Sequence, residues 1–207
     1  MRARFDHIRP AGDRGQAFTL EAVVAAVVVL GGLLFALQVS GVTALTSSTA
    51  SGAMVQQQET LASGILDAAA ASDSIRPMLL YWDDGKETFY GPYSDSDGYY
   101  TVGPPTAFGS LLNETLDGQS VALNVDLHYV DANGTVQRRE LVRNGEPSDD
   151  AARATRTVTL YDDDRLLNGD GTVSNTTLAN ASFYLPDRYP DGPIYNVVRV
   201  EVVVWPV

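Results

Sequence analysis

The chain has 207 residues, no cysteine and a formal net charge of −12, with 26 acidic residues against 14 lysines and arginines. Without thiols there is no disulfide, no thiolate metal centre and no cysteine nucleophile, so packing alone must hold the fold. The acidic balance excludes nucleic acid and an anionic membrane surface as partners, since both need basic patches. Lys86 is the only lysine, and so acidic a surface suits solubility at high salt.

Met1 to Gly15 reads as a polar leader, with Arg2, Arg4, Arg9 and Arg14 against Asp6 and Asp13. One acid, Glu21, precedes a charge-free run that lasts to Glu59. A hydrocarbon core about 30 Å thick takes roughly 20 apolar residues in a helix. Ala22 to Leu45 meets that length and reads as a transmembrane helix, interrupted only by Gln38, Ser40 and Thr43. The arginines of the leader would keep it inside and send the rest of the chain outward. Gly32, Ala36 and Ser40 recur every four residues, a spacing that lets helices approach closely. Glu21 has two readings. It is either a carboxylate in apolar surroundings that pairs with a cation, or a first-turn acid that complements the helix dipole.

The order of Arg14-Gly15-Gln16, Glu21 and the apolar run resembles a type IV prepilin (class III) signal. Arg14-Gly15-Gln16 is also similar to the processing site of haloarchaeal archaellins. With "FALQ" and "VTALTSSTASG" behind it, the N-terminal region resembles small pilin-like proteins of haloarchaea. The resemblance implies cleavage between Gly15 and Gln16 by a prepilin peptidase, with the helix kept on the mature chain. The helix would then serve either as a membrane anchor or in a filament core, and in a filament Glu21 would meet the new α-amino group of a neighbour. Glu21 is the sixth residue after Gly15, one place later than the glutamate of bacterial pilins. An uncleaved anchor, and a secretory signal cut among the small residues of Ala44 to Ala53, are the alternatives.

Beyond the apolar run, Met54, Leu61, Ile65 and Ala68, with Val55, Ala62, Leu66 and Ala69 alongside, keep helical spacing through Ala71. A continuous helix from Phe18 to Ala71 would be about 80 Å long. Ser72-Asp73-Ser74 and Pro77 mark its end. The expected fold class is therefore α+β, a long N-terminal transmembrane helix followed by a mainly antiparallel β domain. The expected organisation is a cytoplasmic leader over 1–15, the helix over 16–72 and an exported acidic domain over 73–207.

Within that domain, Arg76 to Trp82 is ambiguous between helix and strand. Asp83 to Gly103 alternates turn pairs with Phe89, Tyr90, Tyr93, Tyr99 and Tyr100. With Trp82, these aromatics read either as a sugar-stacking face or as the packing of a small β structure. Ala107 to Leu116 reads as a short helix. Val121, Leu123, Val125, Leu127 and Tyr129 alternate with Ala122, Asn124, Asp126 and His128, the period of a half-buried strand. Asn133-Gly134 predicts a hairpin turn into Thr135 to Val142. Thr155 to Tyr161 and Ile194 to Trp205 read as further strands, the last apolar enough to lie inside the sheet.

Chemistry is scarce. His7 and His128 are the only histidines, and neither a Gly-x-Ser-x-Gly elbow nor a glycine-rich phosphate loop is present. The chain is read as non-enzymatic and without a cofactor. The acidic loops at Asp95 to Gly98 and Asp162 to Thr172 have oxygen donors suited to calcium but lack its twelve-residue spacing, and no metal is expected. Sequons at Asn113, Asn133, Asn175 and Asn180 are candidates for glycosylation in an exported domain. The expected function is a pilin-like structural or adhesion protein of the cell surface, with membrane lipid, the prepilin peptidase and sister subunits as partners. The alternative is a single-pass anchored extracellular binding domain that does not polymerise.

Overall fold

A computed structural model describes the backbone of residues 13–91 and 98–207, and the side chains of residues 21–34, 52–91 and 98–207. The chain divides into two compact units, Met1–Ser51 and Gly52–Val207. Helix α1 covers Asp13–Ala71. In the first unit its described side chains, Glu21 to Leu34, are all exposed.

The transmembrane helix expected over 22–45 is not upheld. Among the described residues no helix is long and apolar enough to cross a membrane. Of the expected span, residues 35–45 lie outside the described side chains. The fold class is corrected to mixed helix and strand with a β-sheet domain.

In the second unit, α1 buries Gln58, Ala62, Ile65, Leu66 and Ala69, a stripe at three- and four-residue steps. Ala62, Ile65, Leu66 and Ala69 lie on the stripe read in the sequence, whereas Met54 and Ala68 are exposed and Val55 and Leu61 are half-buried. The helix stops in a Schellman arrangement. Ser74 N–H donates to the Ala69 carbonyl at 2.9 Å and Asp73 N–H to that of Ala70 at 3.1 Å. Asp73 takes the left-handed conformation, φ 49°, which aspartate tolerates better than most residues.

Helix α2 (Ile75–Leu79) follows at once, so the ambiguous stretch is a helical turn that buries Ile75, Met78 and Leu79. Pro77 fits because it stands in the first turn, where its missing N–H leaves no bond unmade. Two short strands, β1 (Trp82–Asp83) and β2 (Thr88–Phe89), then pair antiparallel with Trp82 opposite Phe89. Helix α3 (Ala107–Leu116) buries Phe108, Gly109 and Leu112. Gly109 allows the close approach of its turn to Pro104, because a Cβ there would lie 1.8 Å from the Pro104 carbonyl oxygen.

Four strands form the main sheet: β3 (Val121–Val130), β4 (Val136–Val142), β5 (Ala152–Tyr161) and β8 (Ile194–Pro206). Their order is β4-β3-β8-β5, antiparallel throughout. The terminal strand thus lies inside the sheet. A separate two-stranded ribbon pairs β6 (Arg165–Leu167) with β7 (Val173–Thr177). Directly paired residues share a face. Leu123, Val125 and Leu127, opposite Val204, Val202 and Val200, belong to the core with Ile65, Leu66, Met78, Phe108 and Leu112. Ala122, Asn124, Asp126 and His128, opposite Trp205, Val203, Glu201 and Arg199, occupy the other face.

The β3–β4 turn is built around Asp131. Its carboxylate accepts the Asn133 and Thr135 N–H groups at 2.9 Å and the Gln137 amide at 2.8 Å, while Gly134 supplies φ 85°. The Thr135 N–H, then Gln137, holds the Asp131 carboxyl below its ordinary value of 3.8.

Trp82, Phe89 and Tyr100 are buried rather than displayed, which decides against a sugar-stacking face for these three; Tyr93 lies outside the described residues. Trp82 stacks edge-on against Phe89 at 5.2 Å and lies 5.1 Å from Tyr184. Arg139 spreads its guanidinium over the Trp82, Tyr184 and Phe89 rings at 5.0, 5.3 and 5.5 Å. Trp82 Nε1 donates to the Ser182 carbonyl at 2.8 Å, and Tyr195 OH, its pKa pushed up to about 12 by burial, donates to that of Leu185 at 2.9 Å.

Two measurements check this packing. Gly109→Ala should lower the unfolding free energy by about 3 kcal/mol in urea titration, because backbone must move to admit the methyl group; an unchanged midpoint would contradict the contact. For Asp131, whose folded pKa is depressed, the stability contribution is present above pH 3.8 and lost as pH falls through the folded value. Asp131→Ala should therefore be less stable than wild type near neutrality, and the difference should shrink in acid.

Candidate functional site

Two features of the chain remain unexplained by packing. The first is the described part of α1 in the first unit. Val23, Val24, Val27, Val28, Val29, Leu30, Leu33 and Leu34 are exposed to between 56% and 70%. At 100° per residue these positions cover most of the helix circumference. The remaining side carries Glu21, Ala25 and Gly32, which are spaced to share a face. A Cβ on Gly31 or Gly32 would meet nothing within 4 Å, so no contact among the described residues calls for glycine at either position.

The second feature is the outer face of the sheet. Both Asn124 and Asp126 are 2% exposed, although strand alternation reads that face as polar and solvated. The loop after β4 covers them: Asn124 Nδ2 donates to the Gly145 carbonyl at 3.0 Å and its Oδ1 accepts the Asn144 N–H at 2.7 Å. A polar recess of about 290 Å³ remains, lined by Asp126, Arg138, Arg143, Arg153 and Glu201 among others.

Charges on this face are paired in a chain. Arg138 holds Asp126 Oδ2 at 3.0 Å and lies 3.4 Å from Glu140. Arg143 bonds Glu140 at 2.5 Å and also Glu146. His128 Nε2 meets Glu201 Oε2 at 3.2 Å. Asp126 Oδ1 has no hydrogen-bond partner among the described residues. Burial, opposed by the Arg138 hydrogen bond and charge, raises the Asp126 pKa above its ordinary value.

The residues singled out in the sequence are not gathered into one place. Arg14, Gly15 and Gln16 fall within the backbone span of α1, and their side chains, like that of Ala36, lie outside the described ones. The leader residues 1–12 and the acids Asp95 and Asp97 also lie outside the description. Asn113 stands on α3, Asn133 in the hairpin turn, Asn175 on β7 and Asn180 in a short 3₁₀ turn, Leu178–Asn180; all four are exposed. In the calcium-like loop, Asp164 is held by both oxygens to Arg76, and Asp170 accepts from the Thr172 N–H and hydroxyl.

Glu201 as the partner of His128, and Arg138 as that of Asp126, were missed. Alternation alone puts Asp126 and His128 on one face of β3, but Glu201 joins them only because β8 crosses back to lie beside β3.

Arg138→Met should strip the ion-pair partner seen among the described residues from a buried carboxylate and lower the unfolding free energy by about 2 kcal/mol, measured by urea titration in the presence of a chelator. Asp126→Asn on the same background should recover part of that loss. If the two losses simply add, the pair is not coupled.

No curated protein and no solved structure matches the chain. Residues 14–204 match the family model of a family of unknown function, DUF7288, and since that is nearly the whole chain, the protein belongs to this family.

Proposed function

We propose that the protein is a self-assembling structural subunit of the cell surface, pilin-like in organisation. Its N-terminal helix packs against the same helix of other copies and its acidic β domain is displayed outward. The exposed apolar run from Val23 to Leu34 carries this reading. A helix that is apolar nearly all round is stable only when covered. Gly32, which no contact among the described residues requires, leaves room for a second backbone. Glu21, on the same face, is the one charge such a contact would bring in, and the α-amino group of a processed neighbour is its natural counter-charge. The β domain adds no nucleophile–base pair in this reading: His128 is bonded to Glu201. The sequons at Asn113, Asn133, Asn175 and Asn180 are exposed and would carry glycans on the outward domain.

The test is the mass and size of the protein recovered from cells. Processing predicts an intact chain that starts at Gln16, and assembly predicts a high-mass species by sedimentation. Val27→Ser with Leu30→Ser should yield monomers, and Glu21→Gln should weaken assembly at least tenfold in concentration. A full chain that starts at Met1 and sediments as a monomer would overturn the proposal and leave a binding domain that does not polymerise.

A further inference from the structure

We propose that Asp126, His128 and Glu201 form a binding site for one divalent transition-metal ion of the zinc class. One donor atom from each residue lies within 4.8 Å of the others. His128 Nε2 and Glu201 Oε2 are 3.2 Å apart. Two ligands on a tetrahedral zinc, each about 2.1 Å from it, sit about 3.4 Å from one another. The pair is therefore already at ligand spacing.

The three side chains come from the two inner strands of the sheet. Asp126 and His128 are two residues apart on β3, and Glu201 is directly opposite Asp126 on β8. Ligands on paired strands are held more rigidly than ligands on loops. A second observation points to a cation. Asp126 is 2% exposed, and its Oδ1 has no partner among the described residues while Oδ2 is held by Arg138. A buried carboxylate oxygen is costly to leave unmatched. A metal on Oδ1 supplies the match, and Arg138 on Oδ2 then orients the ligand in the way that outer partners of metal sites do.

Donor chemistry selects the ion. An imidazole nitrogen with two carboxylates favours zinc and its neighbours over calcium or magnesium, which take oxygen alone. The recess lined by Asp126 and Glu201 gives the ion a route in. Bound there, it would join β3 to β8 at their middle.

The site is tested by zinc titration of the tag-free full-length protein carrying His7→Ala, with a competing chromophoric chelator. One zinc per chain is expected. His128→Ala and Glu201→Gln should each weaken it at least tenfold, while Asp170→Asn, an acid outside the cluster, should leave it unchanged. Circular dichroism confirms the fold of each variant, and His128→Gln stands in if the alanine variant unfolds. Zinc should also raise the melting temperature of the starting protein and not that of the His128 variants. No uptake, uptake unaffected by both ligand changes, or equal competition by calcium would overturn the assignment.

Discussion

The pairing of β8 between β3 and β5 is the constraint on which the second unit depends. Strand β8 supplies the middle of the sheet, so neither β3 nor β5 has its inner neighbour until β8 is in place. Because β8 is paired along both edges, its register fixes that of both neighbours, and a slip of one residue would exchange its two faces. The alternation Val198, Val200, Val202, Val204 makes such a slip costly, since all four are fully buried. The same alternation delivers Glu201 to the opposite face, beside Asp126. Core and polar cluster are two consequences of one register.

On the core side, the aromatic group shows how a small domain without disulfides is closed. Trp82 and Phe89 come from the β1–β2 ribbon, Tyr184 from the loop before β8, and Arg139 from β4. Their contacts tie segments that are far apart in sequence, which is what a disulfide would otherwise do. Each stacked guanidinium contact contributes on the order of 1 kcal/mol, and the Trp82 and Tyr195 hydrogen bonds keep buried donors satisfied. Arg139 belongs to this group through its stem and its planar face, a role lysine fills poorly.

Much of the β domain was legible in the sequence because its signals are local. Period-two alternation located β3 and β8, Asn133-Gly134 located the hairpin, and Ala107 to Leu116 located α3. The helix stripe was read too wide, because Ala62, Ile65, Leu66 and Ala69 are buried while Met54 and Ala68 fit the apolar spacing yet stay exposed. Which residues a helix buries depends on what packs on it. The transmembrane assignment failed on the length of described apolar helix. The outer face was illegible for a different reason. Its burial depends on the Asn124 bonds to the Gly145 and Asn144 backbone, and its cluster on the order of strands, neither of which leaves a periodic trace.

Several of the turn acids are satisfied within the fold, although Asp162 Oδ1 has no partner among the described residues. Asp170 closes its own turn through Thr172, Asp131 ties the hairpin together, and Asp164 is engaged by Arg76. Loop carboxylates find backbone N–H groups easily, because a turn exposes several at once. Asp126 has no such choice: the N–H groups around it belong to the β3–β4 and β3–β8 ladders. An acid committed to a sheet face can be neutralised only by side chains or ions, and one arginine reaches only one of its oxygens. Unmatched carboxylate oxygens therefore remain both on the sheet, at Asp126, and in the aspartate-rich loop, at Asp162.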